Sequence, residues 1–133
     1  MKLSRIVKKK EFEMTVAPDK WKKLWQLWAD GSAASPCREL MTYITEVNNG
    51  GHAQYFSHLA DNGVPAEELP VLKSLMGVKH RINLWLAYKA YRSFEKKESA
   101  VAEMLLMLSD IVFDVDEAVF NQIVEQYAAK LDE

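Results

Sequence analysis

Three histidines and one cysteine are the residues of this chain best suited to catalysis or metal binding. His52 and His58 are six positions apart, which on one helix places them on different sides, whereas a metal-binding pair prefers a spacing of four. His80 lies in a basic cluster that is typical of a solvated face or a helix start. Cys37 falls on an apolar helical stripe and is predicted to be a small core residue. We therefore expect a protein that is not an enzyme and has no metal or cofactor; a small enzyme using His52 and His58 is the alternative.

The segment Glu46–Phe56 places two adjacent glycines between two amphipathic stretches. Adjacent glycines allow positive φ angles and a sharp turn, and they let two helices approach closely. Because a carboxylate in the last turn of a helix opposes the helix dipole, we expect Glu46 to accept hydrogen bonds from N–H groups at the start of the next helix. Gln54 is predicted to reach back to the same helix start. The residues assigned to this structural motif are Glu46, Asn48, Asn49, Gly50, Gly51, Gln54, Tyr55 and Phe56.

Apolar residues repeat with helical spacing through the first half of the chain. A first helix is predicted from Pro18, with Gly31 beyond its end. A second begins at Pro36 with Ser35 as its N-cap, and it ends at the double glycine. A third, short helix runs toward Gly63, where glycine can close a helix in the left-handed conformation.

The second half of the chain shows the same helical spacing. Pro70 predicts a helix that begins near Leu69 or is kinked. The stretch 79–96 is apolar on more than one face, which predicts a central helix with neighbours on several sides. Another helix follows from Glu98 to about Ile111, with Val101, Met104, Leu105 and Leu108 as its apolar stripe, and Asp114 is predicted to cap the last one. The chain should therefore form an all-α, single compact bundle of about five to seven helices over residues 18–133.

The N-terminal residues 1–17 differ from the rest, because Glu11–Val16 alternates polar and apolar residues with the period of a strand. A lone strand is not stable by itself. It must pair with the segment Leu3–Val7, pair with a second subunit, or lie as an extended arm. We expect a basic arm that is extended or forms a short β-like hairpin. A homodimer formed through this arm is a further possibility that the sequence allows.

Composition and charge limit the classes of protein to which this chain can belong. With 133 residues, 49% of them hydrophobic, the chain can fill one core and is too short for two ordinary domains. The net charge of −2 is unevenly spread: residues 1–23 carry eight basic against three acidic side chains, and residues 103–133 carry one against eight. A direct nucleic-acid binder is usually more basic overall. With no long apolar run and a single cysteine, we expect a cytoplasmic protein without a membrane segment.

The double-glycine motif resembles the signature of a bacterial family of DNA-mimic proteins (the DMP type), most of them small, uncharacterised and all-α. The resemblance extends to Leu72–Gly77 and to the acidic-aromatic segment Phe113–Phe120, so that it covers roughly residues 37–131. His52 departs from the pattern, since the family has an apolar aromatic residue there. The resemblance implies an all-α fold and an acidic surface that competes with DNA for a DNA-binding protein.

These observations favour a non-catalytic protein-interaction module. In the reading that the resemblance implies, it is an acidic-surface DNA mimic or inhibitor that binds a DNA-binding regulator, without direct contact to nucleic acid or membrane. An immunity-type protein that neutralises a toxin is the alternative. The candidate partner-binding residues are Asp110, Asp114, Asp116, Glu117 and Glu125.

Overall fold

Five helices form the computed structural model, which describes residues 11–63, 65–97 and 99–131. No strand occurs among the described residues, and none of their helices is long and apolar enough to cross a membrane. The all-α bundle predicted from periodicity is confirmed. The helices are α1 (Pro18–Ala29), α2 (Cys37–Asn62), α3 (Pro65–Lys73), α4 (Val78–Lys97) and α5 (Ala100–Ala129).

The core lies where α5 packs against α1, α2 and α4. Its largest fully buried side chains are aromatic and come from α2 and α5; they are Tyr43, Tyr55, Phe56, Phe113 and Phe120. Cys37 is also buried, and this burial, reinforced by the negative charge of Glu39, raises the pKa of its thiol to about 12. The prediction that Cys37 is a core residue is thus confirmed.

The C-terminal third of the chain, where the sequence predicted two helices, is a continuous run of 30 helical residues that a kink at Asp116 divides into two segments. Ser99 is its N-cap, with a hydroxyl that accepts a hydrogen bond from the Ala102 N–H at 3.3 Å. The predicted cap at Asp114 is wrong, because no glycine or proline between residues 100 and 129 ends the helix. The helix bends instead at Asp116, where φ is −108° and ψ is 16°.

Two further helix starts differ from those predicted. Pro36, not Ser35, occupies the N-cap position of α2, because the Ser35 hydroxyl is engaged by the carboxylate of Glu39 and caps no backbone N–H. α3 starts at Pro65 and continues through Pro70. Proline at the first turn suits a helix start, since its missing N–H is not needed there.

The prediction that α4 is surrounded by neighbours is wrong. Leu84, Ala87 and Ala90 are buried, but Ile82 and Trp85 on the opposite side are about half exposed. The apolar residues of α4 on more than one face therefore do not all belong to the core of this chain.

The described part of the predicted arm, residues 11–17, is not a strand. It contacts α1 and α5, with the Phe12 ring 5.4 Å from that of Trp21 and the Thr15 N–H 2.7 Å from the carboxylate of Glu125. The carboxylate of Glu125 accepts hydrogen bonds from the N–H groups of Thr15 and Val16 that a strand partner would otherwise take. Residues 1–10 lie outside the described residues.

Candidate functional site

The double glycine divides α2 into two helical halves. Gly50 has φ −147° and ψ 18°, and Gly51 has φ 76° and ψ −177°. The second pair of angles lies in a region that essentially only glycine occupies. A Cβ atom at Gly51 would also lie 2.5 Å from the Oδ2 atom of Asp110 on α5. The motif thus allows both the reversal of the backbone and the close approach of α5, as the sequence predicted.

Asp110 caps the second half of α2. Its Oδ1 atom accepts a hydrogen bond from the backbone N–H of His52 at 2.8 Å and lies 2.6 Å from the ring Nδ1 of the same histidine. On the other side of the ring, Nε2 lies 2.6 Å from the Tyr43 hydroxyl. In the neutral histidine, Nδ1–H donates to Asp110 and Nε2 accepts the tyrosine proton. Burial raises the pKa of Tyr43, which keeps that hydroxyl protonated as a donor.

The Asp110–His52–Tyr43 chain has the order of acid, histidine and hydroxyl that a catalytic relay has, but its histidine is not accessible to a substrate. His52 is 0% exposed, and its ring packs against those of Tyr43, Phe56 and Phe113. A catalytic group must reach a substrate atom, whereas the two ring nitrogens of His52 both face protein partners. His52 is therefore a core residue, and protein partners satisfy both of its ring nitrogens.

Glu46 does not take the capping role that the sequence predicted. Its carboxylate accepts a hydrogen bond from the Gln54 side chain at 2.8 Å and lies 2.6 Å from Nδ1 of His58. The cap at the start of the second half comes from Asp110, whereas the Gln54 side chain reaches back past Gly50 to Glu46. His58 is half exposed and His52 is buried, so the structure does not bring the two histidines into one site.

Most of the remaining residues of the double-glycine motif bond to or pack against the other helices. The side-chain amide of Asn48 donates to Glu117 of α5 at 3.1 Å, and Asn49 is exposed. The Tyr55 hydroxyl donates to Glu68 of α3 at 2.8 Å. Burial raises the pKa of that carboxyl above its ordinary value. The Phe56 ring contacts two tyrosines of α4. Among the described residues, no group of three His, Cys, Asp or Glu side chains could hold a metal ion.

The five candidate partner-binding acids do not share one environment. Asp116 is buried at the bend of α5, 2.7 Å from Nζ of Lys79 and 3.1 Å from Nε2 of His80. It therefore serves the α4–α5 contact. The other four lie on one side of α5, since steps of three, four, seven and eight residues return to the same helical face. Glu103 belongs to the same side. We call this set the acidic stripe: Glu103, Asp110, Asp114, Glu117 and Glu125.

Glu125 shows how a carboxylate of the acidic stripe is held in place by neutral donors. It accepts hydrogen bonds from the Thr15 hydroxyl and the Thr15 N–H, both at 2.7 Å, and from the Val16 N–H at 3.4 Å. These bonds lower the pKa of Glu125 below its ordinary value. The carboxylate thus stays ionised while residues 15 and 16 dock on α5.

Docking of the Thr15 segment should therefore weaken in acid. A lowered pKa in the folded state means that the stabilisation is present above the ordinary glutamate pKa and is lost as the pH falls through the lowered value. In an NMR titration, we expect the Thr15 amide shift to change with a midpoint below about 4.3, the ordinary value. Glu125→Gln is the control that should remove this transition. A midpoint at or above the ordinary value would contradict the assignment.

A second surface was not anticipated by sequence reasoning. On α4, Val78, Ile82 and Trp85 point outward and are at least half exposed, with Leu86 beside them. On α5, the exposed apolar residues include Val101, Met104, Leu105 and Leu108. A groove of about 490 Å³ runs between the two helices. We call these eight side chains the apolar face. The predicted core stripe of α5 thus points to solvent, and the row one position later, Ala102, Leu106 and Ser109, is buried instead.

Comparison of the chain with protein-family models, with curated proteins and with solved structures finds no match.

Proposed function

We propose that this protein is a non-catalytic protein-interaction module whose acidic stripe binds a basic protein surface. The observation that carries the proposal is the distribution of charge on α5. Its 30 residues contain six acidic side chains and no lysine or arginine, and five of the six acids share one side of the helix. The family resemblance favours the basic surface of a DNA-binding regulator as the target.

The acidic stripe keeps its negative charge because its hydrogen-bond donors are mostly neutral. Thr15 and Val16 bind Glu125, and Asn48 donates to Glu117. Within the described part of the chain, no lysine or arginine forms an ion pair with Glu103, Asp110, Asp114 or Glu125. Neutral donors orient a carboxylate without cancelling its charge. The acids with fixed neutral partners are thus preorganised for a cation.

The length and charge density of the acidic stripe determine how strongly we expect it to bind a basic surface. From Glu103 to Glu125 it spans about 33 Å at the helical rise of about 1.5 Å per residue. Duplex DNA carries about one charge per 1.7 Å of its axis, a density well above that of five carboxylates over this length. The stripe should therefore occupy part of a DNA-binding surface, and its binding should weaken strongly as salt screens the charges.

A competition experiment tests the proposal. The chain is immobilised, loaded at low salt with the heparin-binding fraction of a bacterial lysate, and eluted with duplex DNA. We expect the DNA to release at least one DNA-binding protein. Glu103→Gln with Asp114→Asn should retain about tenfold less of it, since a lost charge contact of about 1.4 kcal/mol is tenfold in affinity.

Asp61→Asn with Glu67→Gln is the matched control, since it removes two exposed acids outside α5. Equal losses in the two double variants, or a column from which DNA releases no protein, would refute the acidic stripe as the binding surface. An immunity-type protein would use the same stripe against a basic toxin, and the identity of the released protein separates the two cases. In a gel shift with duplex DNA alone, salt-sensitive binding by the chain would contradict mimicry.

A further inference from the structure

The apolar face is larger than a monomeric surface usually exposes. Eight large apolar side chains, each about half exposed, offer on the order of 800 Å² of accessible surface, whereas the largest apolar patch of a typical monomer is about 300–600 Å². Each partner in a standard protein interface buries about 800 Å². The apolar face thus has the area that one half of a stable dimer needs.

The spacing of the apolar face is that of helix–helix packing. On α4, Val78, Ile82 and Trp85 are followed by Lys89, whose Nζ atom lies 4.5 Å from the Trp85 ring centre. On α5, Val101, Leu105, Leu108 and Val112 border the groove. The α5 row advances by four, three and four residues and the apolar row of α4 by four and three, which is the heptad pattern with which helices interlock. The partner that fits this face is a pair of helices of the same kind.

The geometry of the two helices allows the face to pair with a second copy of itself. The helices run antiparallel, since Asn83 bonds the Ser109 carbonyl while Lys79 pairs with Asp116. A twofold axis parallel to them would place α4 of one copy on α5 of the other. The apolar rows of the two copies would then enclose one apolar centre, as in a four-helix bundle.

We infer that the apolar face is the interface of a symmetric homodimer, in which α4 and α5 of two copies form a four-helix bundle. This partner goes beyond the proposed function, because it concerns a different side of α5 from the acidic stripe. It also differs from a dimer formed through the N-terminal arm, since the described residues 11–17 pack on α1 and α5 of their own chain.

Light scattering on the full chain, with variants of the apolar face, tests the inference. The wild type, with a chain mass of 15.3 kDa, should show twice this mass at micromolar concentration. Val101→Glu introduces an acid where the helix dipole favours it, at a side chain that is 67% exposed. It should leave the helical circular dichroism unchanged and raise the dimer dissociation constant about 100-fold, because the interface contains the substitution twice.

Met107→Glu is the control on the same helix, at a residue whose exposure of 45% is close to the 48% of Leu105 but which lies outside the groove lining. It should remain dimeric. Leu105→Glu is the second groove variant, used if Val101→Glu loses helical structure. A monomeric wild type at about 100 µM, well above the dissociation constants of most specific complexes, would overturn the inference. Groove variants that stay dimeric would also overturn it. The same holds if deletion of residues 1–10, and not a groove variant, yields monomers.

Discussion

Gly51→Ala is expected to destabilise the protein by roughly 3–5 kcal/mol, from a strained backbone and the disturbed bonds of Asp110. Gly51 has φ 76° and ψ −177°, angles that an alanine adopts only at a cost. The added Cβ would lie 2.5 Å from Oδ2 of Asp110. Moving that carboxylate away would weaken its bonds to His52. Since the free energy of unfolding of a domain is about 5–15 kcal/mol, the loss should be large in a urea or thermal unfolding curve.

Gly31→Ala is a control at a glycine that has a positive φ but no close neighbour. Gly31 also has a positive φ, 78°, but nothing lies within 4 Å of a Cβ atom added there. Its substitution by alanine should lower the free energy of unfolding by about 1–2 kcal/mol, the cost of the strained backbone alone. Equal costs at the two glycines would mean that the approach of Asp110 contributes nothing.

Asp110→Ala is expected to lower the free energy of unfolding by about 2–3 kcal/mol, because it leaves buried donors without an acceptor. The backbone N–H of His52 would lose its cap and the imidazole would lose the partner of Nδ1. The ring itself is 0% exposed, whereas the Asp110 side chain is 36% exposed, so water that enters the vacated space would replace only part of the lost hydrogen bonding. Asp114→Ala, one turn later on the same side of α5, should stay within about 0.5 kcal/mol of the wild type, as surface substitutions usually do. Comparable losses in both variants would contradict a capping role for Asp110.

The corner of α2 shows what the sequence could predict about the candidate site. Adjacent glycines between two amphipathic segments indicate a sharp turn and a close helix approach, and both are present. The residue that approaches, Asp110, lies 58 positions away from His52. No local pattern links residues so far apart, because such a contact depends on how whole helices pack. Local sequence favours Glu46 for the capping role because its carboxylate lies in the last turn before the glycines, where it opposes the helix dipole.

The apolar face could not be separated from the core by periodicity. On α5, the exposed row Val101, Leu105 and Leu108 and the buried row Ala102, Leu106 and Ser109 have the same spacing. The exposed row is in fact the more hydrophobic. Periodicity shows that residues share a face, but only packing decides which face another helix covers. If two copies of the chain meet there, the sequence pattern describes a core that a single chain does not complete.

The predicted helix start at Asp114 differs from the observed bend at Asp116 for a different reason. Asp114 has the side chain of an N-cap and follows an apolar stretch, which is a common sign of a helix start. The backbone nevertheless stays helical there, and the acid buried at the bend is Asp116. Lys79 and His80 of α4 lie within ion-pair distance of its carboxylate. The helix thus bends where a partner from another helix stabilises the deviation.

The central claim is that Gly51 and Asp110 form one structural joint that fixes α2 against α5, and a double-mutant cycle tests it most directly. The free energy of unfolding is measured for the wild type, Gly51→Ala, Asp110→Ala and the double variant. If the added Cβ and the carboxylate compete for the same space, the double variant should lose about 1–2 kcal/mol less than the two single losses combined, as residues in contact do. Additive losses, equal within about 0.5 kcal/mol, would show two independent sites and contradict the joint.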